Sequence, residues 1–170
     1  MQKWGASPQM STIKVGDNIP SMKLMMATED GPKEVSTDEI FKGKKVVLFA
    51  VPGAFTPTCS AKHLPGFVQN ADALHSKGVD HIVCLAVNDA FVMGAWAHDQ
   101  GVGDKILMLA DGSAAFTKAM GLELDLVARG LGVRSQRYAL VAENGKVTEL
   151  AIEAPGGFDV SRAEAILAAL

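Results

Sequence analysis

Three short apolar runs constrain this chain more than anything else in it. Residues 45–51 (KVVLFAV), 81–87 (HIVCLAV) and 106–110 (ILMLA) are almost free of polar side chains. Runs this short and this apolar suit strands buried on both faces, which requires helices packed on either side of a sheet. Each run is stopped by turn residues: Pro52-Gly53, Asn88-Asp89 and Asp111-Gly112. A helical pattern follows each stop. The first opens near Thr58-Cys59, breaks at Leu64-Pro65 and resumes from Pro65, where proline suits a first turn. Its stripe of Phe67, Ala71 and Leu74 closes at Lys77-Gly78, a basic last turn with a glycine cap. The second covers about 91–100, with Asn88 or Asp89 as cap, and the third about 114–120.

Two further runs, 137–142 and 146–151, flank Glu143-Asn144-Gly145. Asn-Gly between apolar runs is the strongest short hairpin signal. A last helix is predicted over about 161–170, capped by Asp159 or Ser161. The order predicts an α/β fold with a mixed central sheet and helices on both faces. A strand-helix-strand unit followed by a hairpin and a helix is the thioredoxin-like arrangement. In open α/β sheets, chemistry collects beyond the carboxyl ends of strands. Cys59 lies just past the end of the 45–51 run and at the start of a helix.

A length of 170 residues suits one domain, read as 12–170 with residues 1–11 as a leader. A net charge of −3 with no basic cluster argues against nucleic acid as a partner. No apolar run approaches the roughly 18 residues of a membrane span. Two cysteines do not make a disulfide scaffold, and the start of the chain has no signal-peptide pattern, so the expected compartment is the cytoplasm. His63, His75, His81 and His98 show no metal-ligand spacing, so neither a metal nor a cofactor is expected.

The stretch VPGAFTPTCS, residues 51–60, surrounds one of the two thiols with stiff residues. It reads equally as an ordinary strand-to-helix loop and as a loop that fixes a reactive sulfur. Only the thiolate is a strong nucleophile, and a helix start or a nearby arginine would favour it. Thr56 offers a hydroxyl three residues before Cys59, and Pro52 and Pro57 wall the sulfur without offering an N–H.

Pro52-x-x-x-Thr56-x-x-Cys59 is similar to the P-x-x-x-T-x-x-C signature of peroxiredoxins. The wider 51–60 stretch, Lys62-His-Leu-Pro-Gly-Phe67, Lys14-Val-Gly-Asp17, the block 87–92 and Arg134-Ser-Gln-Arg137-Tyr138 resemble the peroxiredoxin 5 (type II) subfamily specifically. The resemblance covers about residues 12–170. It implies a thiol-dependent peroxidase that reduces hydrogen peroxide and organic hydroperoxides. Cys59 would be the peroxidatic cysteine, Thr56 would hold the peroxide, Pro52 would shield the sulfur and Arg137 would supply the cation. Gly53, Phe55, Pro57 and Thr58 would border the substrate pocket, and a homodimer is implied. Arg134 competes with Arg137 for the arginine role, and His63 is a weak candidate base four residues past the thiol.

Some relatives resolve the oxidised cysteine with a second cysteine near the C-terminus. Residues 153–161 (EAPGGFDVS) contain none. Cys84, the possible second thiol, sits inside an apolar run and reads as core. The expected reductant is therefore external: glutathione with glutaredoxin, or thioredoxin. A redox sensor or chaperone using oxidation of the same cysteine is the alternative.

Overall fold

The computed structural model describes residues 12–170; the predicted leader, 1–11, lies outside them. Seven strands form the main sheet: β1 (Lys23–Thr28), β2 (Gly31–Ser36), β3 (Lys45–Val51), β4 (His81–Ala86), β5 (Leu107–Ala110), β8 (Tyr138–Glu143) and β9 (Lys146–Ile152). Their order is β2-β1-β5-β4-β3-β8-β9. The apolar runs pair in parallel as β3-β4-β5, while β8 and β1 join on either side antiparallel. A small hairpin, β6 (Glu123–Leu126) and β7 (Gly132–Ser135), stands apart.

Alternation of side chains across the sheet divides the core in two. Val47, Phe49 and Val51 of β3 face one cluster with Leu64, Phe67, Leu74, Met93, Trp96 and Ile166. Val46, Leu48 and Ala50 face the other, with Ile40, Phe41, Phe116 and Met120. The first layer is built from α2 (Leu64–Gln69), α3 (Ala71–Ser76), α4 (Ala90–Asp99) and α6 (Ala163–Ala169), and the second from α1 (Thr37–Phe41) and α5 (Ala115–Met120). The mixed thioredoxin-like sheet with helices on both faces is therefore present. The hairpin at Asn144-Gly145 turns through two positive φ angles, 50° and 77°, which is what an Asn-Gly turn supplies.

The helix after Cys59 differs from expectation. It does not break at Leu64-Pro65. Cys59–His63 forms a π-helical turn that runs directly into α2. In an α-helix the Pro65 ring would meet the carbonyl of residue 61. The wider turn, with the Leu64 N–H donating to the Cys59 carbonyl, carries the chain through without that clash. The cap of α6 also differs: Arg162 holds the position, without a side-chain bond. Asp89 does cap α4, accepting from the Val92 N–H at 2.8 Å.

Candidate active site

β3 ends at Val51, and residues 52–56 turn the chain from the sheet edge into the helical turn. The turn is fixed by its own polar groups. The Thr56 hydroxyl donates to the Gly53 carbonyl at 2.6 Å, and Asn88 Oδ1 accepts from the Ala54 N–H at 3.0 Å. The Ser60 N–H donates to the Thr56 carbonyl at 3.0 Å, which starts the helix around Cys59. Because the Thr56 proton is committed to Gly53, the hydroxyl oxygen can only accept from a further partner.

Cys59 has no exposed surface. Its Sγ accepts a hydrogen bond from Arg137 Nη2 at 3.1 Å. The two residues are 78 positions apart in sequence, and the sheet register joins them. Tyr138 pairs with Ala50 across β8 and β3, so Arg137 enters at the carboxyl end of β3, where the loop delivers Cys59. A guanidinium at this distance stabilises a thiolate and remains charged under all ordinary conditions.

The other edge of the guanidinium is also held. Arg137 Nη1 donates to His63 Nδ1 at 2.8 Å. His63 Nε2 lies 3.0 Å from the Ser161 carbonyl. A carbonyl only accepts, so the proton sits on Nε2 and the Nδ1 lone pair faces the arginine. Burial lowers the His63 pKa to about 4; the Ser161 bond opposes this and the Arg137 charge reinforces it. The ring is therefore neutral near pH 7. It packs between Phe49, Phe67 and Phe158, with the Phe158 ring edge-on at 5.1 Å. Phe158 also lies 5.9 Å under the Arg137 guanidinium.

Ser161 is fixed in turn by Glu153. One carboxylate oxygen accepts from the Ser161 N–H at 2.8 Å, the Ser161 hydroxyl at 2.7 Å and the Asp159 N–H at 2.7 Å. Partial burial works to raise the Glu153 pKa, but donors on Ser161, Asp159 and Val160 outweigh it and hold the carboxyl below its usual range.

Arg134 is not a free surface residue. Its Nε donates to the Leu131 carbonyl at 2.8 Å and its Nη1 to the Pro52 carbonyl at 3.3 Å. Gly53 makes room for it: a Cβ there would stand 2.6 Å from Arg134 Nη1. Pro52, Thr58 and Arg137 share a cavity of about 200 Å³ with Gln136 and Glu153. Pro57 is exposed, and Phe55 points outward with 53% of its surface exposed at φ 63°. Cys84 is fully buried at the centre of β4, between Phe49 of β3 and Met108 of β5. Burial pushes its thiol pKa well up, and a charge on Cys59 adds to the rise.

The structure thus brings Cys59, Arg137, Pro52, Gly53, Thr56 and Thr58 to one end of β3. It places Phe55 and Pro57 on the outer rim and Cys84 in the core. Sequence reasoning did not find Glu153, Ser161 or Phe158. Nothing in EAPGGFDVS marks them before the chain folds back onto His63. His63 was visible by its spacing from Cys59, but its free lone pair turns to Arg137 rather than to the sulfur.

The Redoxin family model matches residues 14–167. Peroxiredoxin-2E-2 of Oryza sativa subsp. japonica, a chloroplastic protein, is 53% identical over 97% of this chain and 76% of its own length. Reduced Prx3 of Vibrio vulnificus, solved in complex with hydrogen peroxide, superposes with a TM-score of 0.89 at 56% identity, covering 93% of this chain and 99% of that one. Peroxiredoxin 5 of Alvinella pompejana superposes with a TM-score of 0.82 at 35% identity, covering 92% and 96%.

The chloroplastic relative overturns the cytoplasmic placement. The cysteine count describes the folded domain, while a compartment is set by a separate, removable address. The chain belongs to the peroxiredoxins of the Redoxin family, thiol-dependent peroxidases on a thioredoxin-like fold.

Proposed function

We propose that Cys59 is the peroxidatic nucleophile and that Arg137, Thr56 and Pro52 complete its site. The observation that carries this reading is the 3.1 Å bond from Arg137 Nη2 to Cys59 Sγ. The thiolate attacks one peroxide oxygen along the O–O axis. A bond from Cys59 Sγ to that oxygen forms as the O–O bond breaks, and the leaving oxygen takes a proton from solvent and departs as water or an alcohol. The sulfur is oxidised to a sulfenic acid and the peroxide is reduced. Arg137 stabilises the thiolate before attack and the charge on the departing oxygen after it. Thr56, whose own proton is engaged by Gly53, accepts the peroxide O–H and aligns the O–O bond with the sulfur. Pro52 bounds the cavity without offering a competing donor.

Resolution is assigned to an external thiol. A reduced thiol condenses with the sulfenic acid and releases water; a second thiol displaces the mixed disulfide and returns Cys59 reduced. Glutathione with glutaredoxin, or thioredoxin, supplies the electrons. The position of Cys84, fully buried in the middle of a three-strand parallel unit, supports this, because no external thiol reaches it there and its backbone is held on both sides. Phe55 in the turn after β3 and Phe91 in the first turn of α4 are 53% and 75% exposed, and a homodimer contact would cover them.

The test is an intact mass after one equivalent of hydrogen peroxide, with and without glutathione. A sulfenic acid or glutathione adduct confined to Cys59 is expected. A Cys59–Cys84 disulfide would contradict external resolution, and oxidation confined to any other residue would contradict the assignment of Cys59.

A further inference from the structure

We propose that His63 is a positioning residue: a neutral acceptor, clamped by Ser161 and Glu153, that aims Arg137 at Cys59. The inference rests on the assignment of Cys59 and Arg137 above and concerns how the arginine is held.

A half-buried arginine needs acceptors for its donors, and the choice of acceptor has chemical consequences. A carboxylate would orient it well but would cancel much of its charge. Among the described residues the ion pairs are Lys14–Asp17 and Lys23–Glu34, so Arg137 is in none. Its two terminal nitrogens go instead to Cys59 Sγ and to His63 Nδ1. A neutral imidazole fixes the plane of the guanidinium and leaves its full charge for the thiolate and the peroxide. The nearest carboxylate in this chain of contacts, Glu153, is one step removed and bound to the donors of Ser161 and Asp159.

His63 can play this part in only one tautomer. With the proton on Nδ1, donor would face donor at 2.8 Å. The Ser161 carbonyl selects the other tautomer by demanding the proton on Nε2. Glu153 in turn fixes Ser161 through both its N–H and its hydroxyl. The loop between β9 and α6 therefore sets the arginine just before β8, although it touches the sulfur nowhere in the hydrogen-bond pattern. The groups facing the ring are Arg137 just before β8, Glu153 just after β9, the Ser161 carbonyl, and the rings of Phe49, Phe67 and Phe158. Burial that keeps the ring uncharged near pH 7 supports the role.

His63→Gln keeps a neutral side chain with a carbonyl oxygen that can accept from Arg137 and an amide N–H that can donate. His63→Leu fills the same apolar space and removes the acceptor. Two quantities are read: the bimolecular rate with hydrogen peroxide and the thiolate absorbance near 240 nm at pH 7. His63→Leu is expected to lower the rate by up to about 100-fold and to reduce the thiolate absorbance. His63→Gln is expected to stay within about threefold of the parent. In an Arg137→Ala background, His63→Leu should add no further loss, because the residue acts through the arginine. If His63→Leu does not fold, Glu153→Ala carries the test, with an expected loss of about 10-fold that disappears in the Arg137→Ala background.

A His63→Leu protein as fast as the parent would overturn the proposal, as would a loss that persists undiminished without Arg137. A parent protein no faster than free cysteine would remove the peroxidatic assignment itself, which is a separate outcome.

Discussion

Trp96 Nε1 donates to the Ser60 hydroxyl at 3.0 Å, tying the fully buried indole of α4 to the residue that follows Cys59. Cys59 has no exposed surface, so a protein thiol or glutathione reaches its oxidised sulfur only when the π-helical turn opens. Opening breaks the Trp96–Ser60 bond. In a Trp4→Phe background, oxidation by peroxide is expected to change Trp96 emission, and added thiol to restore it. Ser60→Ala should shrink the change and lower stability by about 1 kcal/mol, read by chemical denaturation. Unchanged emission on oxidation would show that the turn stays closed.

Acid stability should carry the signature of His63. Its folded-state pKa is near 4, against an ordinary value of 6.5. The unfolded chain thus takes up a proton between these values that the folded chain refuses. The contribution is fully present above about pH 6.5 and is lost as pH falls toward 4. It amounts to about 3 kcal/mol, at about 1.4 kcal/mol per pH unit of separation. Denaturation midpoints of the parent should fall over that window, and those of His63→Gln should fall much less. Equal slopes for both proteins would contradict the neutral buried ring.

Gly53 and Arg134 should behave as one unit. A Cβ at position 53 would meet Arg134 Nη1 at 2.6 Å and Thr56 Cγ2 at 3.2 Å. The arginine is the flexible partner and would swing away from the Pro52 carbonyl. Gly53→Ala is expected to fold and to lose about 3- to 10-fold in peroxide rate, with Arg134→Ala losing a similar factor. The double variant should lose no more than either alone. Additive losses would show that the two residues act separately.

Cys84→Ser should leave turnover with an external thiol within about twofold of the parent. The hydroxyl replaces a thiol in a fully buried strand, so a drop of about 1–3 kcal/mol in stability is expected. Loss of turnover in a folded Cys84→Ser protein would make Cys84 the resolving thiol.

The part of this fold that was legible in sequence is the part whose burial is complete. β3, β4 and β5 announce themselves because every position after the first is buried. β2 does not: only Val35 of its six residues is buried, and Pro32 and Lys33 suit an edge strand that faces solvent. The β6-β7 hairpin buries little and was missed for the same reason. At the site, the cluster 52–59 is local, and its short signature is what carries the family resemblance. Arg137 was reachable only through the family resemblance, because a strand register brings it near Cys59. Glu153, Ser161 and Phe158 act through a loop conformation that no short motif encodes. Arg134 could not be separated from Arg137 in sequence, because its partners are backbone carbonyls, which leave no mark there.

The most direct test of the account is a stopped-flow comparison of parent, Cys59→Ser and Arg137→Ala proteins against hydrogen peroxide. The parent should react orders of magnitude faster than free cysteine. Cys59→Ser should not react, and Arg137→Ala should lose about 100- to 1,000-fold while remaining folded. An Arg137→Ala protein that keeps the parent's rate would contradict the central claim, that the 3.1 Å contact between Arg137 and Cys59 is what makes this thiol a peroxidase.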